Sequence, residues 1–133
     1  MGAGGVKSYL EKLLLAQIEQ AGLPMPVREY CFLKPLSKHR ADFAWPDRFL
    51  IVEVEGGIWT GGRHNRPVGF QEDCWKYNMA VLRGWDVLRF TGQMIQEGVA
   101  LNMIREVLGA TTEHERSGSD GQGSASGRGA VSR

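Results

Sequence analysis

Three carboxylates, Asp42, Glu53 and Glu55, fall where two neighbouring strands would bring them together. Acidic groups held this close repel unless a proton or a cation sits between them, so the pattern points to cation chemistry. Period-two alternation along Leu50–Glu55 sets Glu53 and Glu55 on one side, with Leu50, Val52 and Val54 on a core-facing side. Asp42 lies on the preceding strand, before Pro46-Asp47-Arg48. If Asp47-Arg48 is a two-residue loop, Asp42 stands opposite Glu53, with Cβ atoms about 5 Å apart. A loop one residue longer would put Val52 there instead. A hard divalent ion, Mg²⁺ or Mn²⁺, takes oxygen ligands of this kind. Asp42, Glu53 and the backbone carbonyl of Val54 could hold one ion, while Glu55 orients a water or helps to hold a second.

Phosphodiester hydrolysis is a reaction that this arrangement would help. The bond is anionic and repels hydroxide; a carboxylate-held metal neutralises the phosphate, acidifies bound water and stabilises the leaving oxygen. A cation near the transition state would add to this, and Arg63, His64, Arg66 and Lys76 are the candidates. Arg63, His64 and Arg66 also form the best phosphate-contact patch, which would position DNA without reading its sequence. Gln71 is a further candidate for substrate contact, and Trp59 could stack on a base or sugar. Each feature has a plainer reading. Glu53 and Glu55 could be a solvent face paired with Arg40 or Arg48. Lys76 could be a solvated helix residue or the partner of Asp73, three residues earlier.

The elements that must position these groups follow from patterning. The chain has 133 residues, 42% hydrophobic and 23% charged, with a net charge of +1. That suits one domain with a modest core, and any nucleic-acid surface must be a local patch. Two cysteines, Cys31 and Cys74, lack metal or disulfide spacing and read as buried free thiols. Without a signal peptide pattern or a membrane-length apolar run, the expectation is a soluble cytoplasmic protein. Ser8-Tyr9-Leu10-Glu11 is a capping-box pattern that predicts a helix to about Gln20, with Leu10, Leu13, Leu14 and Ile18 inward. Strands are predicted at Val27–Leu33, Arg40–Trp45, Phe49–Glu55 and Trp85–Phe90. Helices are predicted at Phe70–Arg83, burying Phe70, Cys74, Tyr77 and Val81, and from Gly92 to Leu108. From Ser117 to Arg133, ten of seventeen residues are Gly or Ser, a composition that predicts disorder. The expected organisation is a flexible start at 1–7, a domain at 8–109 and a disordered tail at 110–133. The fold class is α/β (α+β), in the order α-β-β-β-α-β-α, with a central mixed four-stranded sheet flanked by helices.

Asp42, the strand Leu50-Ile51-Val52-Glu53-Val54-Glu55, the Gly56-Gly57 that follows and the later Gly84-Trp85-Asp86-Val87-Leu88-Arg89-Phe90-Thr91 resemble the PD-(D/E)XK, or restriction-endonuclease-like, nucleases. The likeness is to small single-domain members of the DUF559 and very-short-patch-repair type, and covers about residues 8 to 108. It implies a restriction-endonuclease-like core and metal-dependent cleavage of DNA. Asp42 and Glu53 would be metal ligands, Glu11 an accessory acid and His64 an accessory catalytic group. The chain departs from that pattern where the usual lysine is replaced by Glu55, which leaves the catalytic cation to another residue, Lys76 first. A cutter of duplex DNA on this scale would work as a homodimer, one active site per strand, whereas a single chain could act as a nickase. The competing expectation is a module with this fold that binds DNA structure or a protein partner without turnover.

Overall fold

The computed structural model describes residues 3–56 and 67–118. Its elements are α1 (Ala3–Gln20), β1 (Val27–Tyr30), β2 (Ala41–Trp45), β3 (Leu50–Glu55), α2 (Pro67–Leu82), β4 (Asp86–Thr91), α3 (Gly92–Gln96) and α4 (Val99–Gly118). The sheet order is β1-β2-β3-β4. The first three strands form the predicted antiparallel meander, and β4 pairs with β3 in parallel. This is the mixed four-stranded sheet, flanked by helices, that the patterning predicts.

Two apolar clusters hold the helices to opposite faces. Leu10, Leu14 and Ile18, on one stripe of α1, pack with Phe43, Trp45, Leu50, Val52 and Val54 of the sheet and with Ile95, Ile104 and Leu108 of α3 and α4. The opposite cluster joins Ala44 and Ile51 to Ala80 of α2, to Trp85 and to Phe32 and Leu33. Each large apolar side chain buried in this way contributes roughly 1.5–3 kcal/mol. The central strands are covered on both faces, which is why β2 and most of β3 are buried along their length.

Several boundaries differ from the sequence expectation. α1 begins at Ala3, so Ser8 lies inside the helix rather than capping it, and Lys7 becomes a helical residue. β1 stops at Tyr30 because Phe32 and Leu33 turn into the second cluster, where Leu33 O accepts from the amides of Leu36 and Ser37. The last helix is two, broken where Gly98 takes φ +84°, a conformation that side chains disfavour. Helical backbone continues through 110–118, where a tail was expected. The expected disorder of 119–133 lies outside the described residues, as do Arg63, His64, Arg66 and Trp59. The apolar stripe predicted for α2 is not its buried face: Phe70 is 65% and Val81 44% exposed, and Cys74 is exposed, while Ala80 is fully buried. Cys31 is half-buried, so neither thiol is a core group. No described helix is long and apolar enough to cross a membrane.

The turn between β2 and β3 settles the register. Pro46–Arg48 form one 3₁₀ turn, and Phe49 closes it in the left-handed region, its amide donating to Pro46 O at 3.1 Å. The link is longer than two residues but is centred on Asp47-Arg48, so the pairing is unchanged. Trp45 faces Leu50, Ala44 faces Ile51 and Phe43 faces Val52. One step further, the strands part at Asp42 and Glu53.

Gly56 ends β3 under the first turns of α1. A Cβ on Gly56 would lie 2.7 Å from Lys7 Cβ and 2.9 Å from Lys7 Cα, closer than atoms can pack without a backbone shift. Gly56→Val should therefore destabilise the fold by about 1–3 kcal/mol, the usual range for overpacking. Urea denaturation checks this, and wild-type stability in the variant would contradict the close approach.

Candidate active site

The strand partings place the acidic groups. In β1, Arg28 pairs with Phe43 and Tyr30 with Ala41, while Glu29 between them takes φ 52°. In β2, Ala41 packs in the Trp85 cluster and Phe43 in the α1 cluster, although residues two apart should share a face. The sheet thus turns over at Glu29 and Asp42. This frees the Asp42 carboxylate from the face and sets it in the seam between β2 and β3, where Oδ2 accepts the amide hydrogen of Val54 at 2.7 Å. The register is the expected one, but the Asp42 and Glu53 side chains do not share a face as the sequence predicts. Asp42 enters edge-on, while Glu53 projects towards α2.

Among the described residues, Asp42, Glu53 and Glu11 are the buried charged ones, at 5%, 6% and 8% exposure. Burying a charge is costly unless it is paired, and each has a cation. Lys7 Nζ lies 3.0 Å from Asp42 Oδ1 and 3.9 Å from Glu11 Oε2, bridging the two acids. Arg28 donates to Glu11 Oε1 at 2.8 Å. Lys76 Nζ lies 3.6 Å from Glu53 Oε2, beyond hydrogen-bond reach, and no donor among the described residues satisfies that buried oxygen. Glu55 is less buried and accepts from Arg89 Nε at 2.9 Å. Both cations of this side pack on the Tyr77 ring, Lys76 Nζ at 4.7 Å and Arg89 Cζ at 4.6 Å from its centre.

The electrostatics follow from these contacts. Burial pushes the Glu53 carboxyl up to about 7; Lys76 opposes the shift and the charge of Asp42 adds to it. Glu11 is raised by burial and then by Asp42, against its bond to Arg28. Burial works to lower Lys7, but its hydrogen bond to Asp42 and the charges of Asp42, Glu11 and Glu53 outweigh that and raise it. Burial also raises the Tyr77 phenol, helped by the charge of Glu53.

The structure brings together Asp42, Glu53, Glu55, Lys76 and the amide of Val54, with Glu11 linked to them through Lys7. Lys76 is neither solvated nor spent on Asp73; its side chain is 12% exposed and directed at Glu53. Arg48 does not pair with either strand glutamate but donates to Leu108 O at 3.1 Å. Gln71 is exposed on α2. Glu11 is a buried acid rather than a capping residue. Sequence reasoning missed Lys7, Arg28, Tyr77 and Arg89 as members. Lys7 carried a signal, four residues before Glu11 on a helix, as did Arg89, whose parallel neighbour is Glu53. Nothing local marked Arg28.

The donor set fits a hard cation in part. Two buried carboxylates converge on the sheet end, one with an oxygen lacking a donor. The carbonyl of Val54 leaves its strand on the side of the amide bonded to Asp42. Among the described residues, no three His, Cys, Asp or Glu side chains gather closely enough to hold a metal by themselves. Backbone and water oxygens would have to complete the shell. Compared with protein-family models, curated proteins and solved structures, the chain matches none.

Glu53 carries a pH dependence with a definite sign. Its folded pKa lies above the ordinary 4.5, so its contribution to stability is full below that value and is lost as pH rises through about 7. Glu53→Gln keeps the shape without the titration. In chelator, raising the buffer from about pH 5 to about pH 8 should shift the stability difference in favour of the variant by up to about 3 kcal/mol. Urea denaturation at both pH values measures this, and a constant difference would contradict the raised carboxyl.

Proposed function

We propose that the chain is a metal-dependent DNA endonuclease that hydrolyses phosphodiester bonds, built on a restriction-endonuclease-like core. The observation that carries this reading is Glu53. A buried carboxylate whose Oε2 lacks a hydrogen-bond donor, raised to about 7, is an arrangement that a divalent cation would relieve. Asp42 enters the same end of the sheet from the adjacent strand, and Lys76 stands over the cluster from α2.

Asp42, Glu53 and the Val54 carbonyl would hold Mg²⁺ or Mn²⁺. The bound ion would supply charge neutralisation at the phosphate and a more acidic water. Asp42 is held for this by the Val54 amide, so its carboxylate need not reorganise when a ligand arrives. Lys76, poised but not hydrogen-bonded to Glu53, is free to turn its ammonium to a phosphate oxygen, the role left open by Glu55 at the usual lysine position. Arg89 holds Glu55 beside the cluster, where it can accept a proton from an attacking water. Glu11 keeps Lys7 and Arg28 in place. Arg63, His64, Arg66 and Gln71 are proposed as the DNA contacts, and a homodimer as the form that would cut both strands.

The ion pairing itself favours the second reading, a nuclease-fold module without turnover. Asp42 and Glu53 already have Lys7 and Lys76 as counter-ions, which could serve the fold alone.

Incubation with single-stranded, duplex and branched DNA under Mg²⁺ or Mn²⁺ separates the two. Cleavage should appear with wild type and vanish in Asp42→Ala and Glu53→Ala. Lys76→Met should lower kcat by about 10²–10³-fold, as loss of one charge-stabilising donor does. DNA binding without cleavage under either metal would favour the inactive module.

A further inference from the structure

We infer that Lys7 is a resident counter-ion that keeps divalent cations off Asp42 until a phosphate group draws the ammonium away. The inference rests on the proposed metal site and adds to it a coupling between metal and substrate.

Asp42 has one carboxylate oxygen committed to the Val54 amide at 2.7 Å, which leaves Oδ1 as the oxygen open to a cation. Lys7 Nζ holds that oxygen at 3.0 Å. Its position is built rather than incidental. Gly56 lets the α1 backbone descend at Lys7 onto the end of β3, and any side chain there would push the helix off. Glu11, one turn along α1 and fixed by Arg28, steadies the same ammonium from the other side. Lys7 is nevertheless not sealed in, for its side chain is 39% exposed. A partly exposed lysine side chain can exchange its carboxylate partner for another anion without unfolding the helix that carries it.

A divalent ion at Asp42 and Glu53 would stand within a few ångströms of this ammonium, and like charges at that range repel strongly in a partly desolvated site. Metal entry without substrate therefore works against Lys7. An arriving phosphate changes the balance, because its oxygens can accept the ammonium while the metal takes Asp42. Metal and phosphate then assist each other's binding, and the assistance is reciprocal. Lys7 acts on the reaction through Asp42 and is a positioning residue.

Calorimetric titration of Mn²⁺ into wild type, Lys7→Met and Lys7→Arg, with and without thymidine 5′-monophosphate as an uncleavable phosphate probe, tests this. Lys7→Met retains the aliphatic stem that packs on Gly56; Lys7→Gln is the second neutral variant should it fail to fold. Without the nucleotide, the neutral variant should bind Mn²⁺ at least about tenfold more tightly than wild type and gain more in Tm from the ion. Lys7→Arg should behave as wild type. The nucleotide should tighten Mn²⁺ binding in wild type and do so less in the neutral variant. Equal or weaker Mn²⁺ binding by the neutral variant would overturn the gating role and leave the metal site standing. No Mn²⁺ uptake by any protein, with or without nucleotide, would overturn both. Tighter uptake by the neutral variant, with no DNA cleaved by wild type, would support the gate and remove the endonuclease reading.

Discussion

The structure depends on accommodating two carboxylates, Asp42 and Glu53, at the buried end of a sheet. Placing carboxylates there works against folding unless cations and amide hydrogens surround them. The surrounding elements supply both. α1 contributes Lys7 and β3 the Val54 amide, both to Asp42, while α2 contributes Lys76 to Glu53. Asp42 is satisfied on both oxygens. Glu53 is not satisfied on Oε2, and burial pushes its carboxyl up to about 7. A buried carboxylate oxygen without a donor, beside a lysine held short of hydrogen-bond distance, is the physical basis of the proposed metal site.

The fold serves this end through a local irregularity. A regular sheet would have set Asp42 on a face, where it would meet either core or solvent. The reversal at Glu29 and Asp42 turns the carboxylate into the seam, and Gly56 clears the way for α1 to meet it. The two helical layers, held to opposite faces by separate apolar clusters, then deliver one lysine each. Lys7 and Lys76 thus approach the same sheet end from opposite layers.

Much of this was legible in the sequence. The alternation of Leu50–Glu55 predicted which side Glu53 and Glu55 share, and the Asp47-Arg48 centre of the turn predicted the register, although the turn itself is longer. Lys76 was one of the cations that the sequence offered to the acidic cluster, beside a plainer reading as a solvated residue or a partner of Asp73, and the structure directs it at Glu53. What was not legible depends on tertiary approach. Local patterning cannot show that Glu29 adopts a left-handed conformation, or that the helix start lies far enough forward to bring Lys7 into play. The apolar stripe of α2 misled because Phe70 and Val81 lie on its exposed side, where packing against the sheet does not decide residue type.

Crystals grown with Mn²⁺ and examined by anomalous scattering decide whether the two carboxylates take an ion. A peak is expected between the Asp42 and Glu53 carboxylates, with Lys7 displaced from Oδ1. Carboxylates still closed on Lys7 and Lys76, without anomalous density near either, would contradict the proposed metal site.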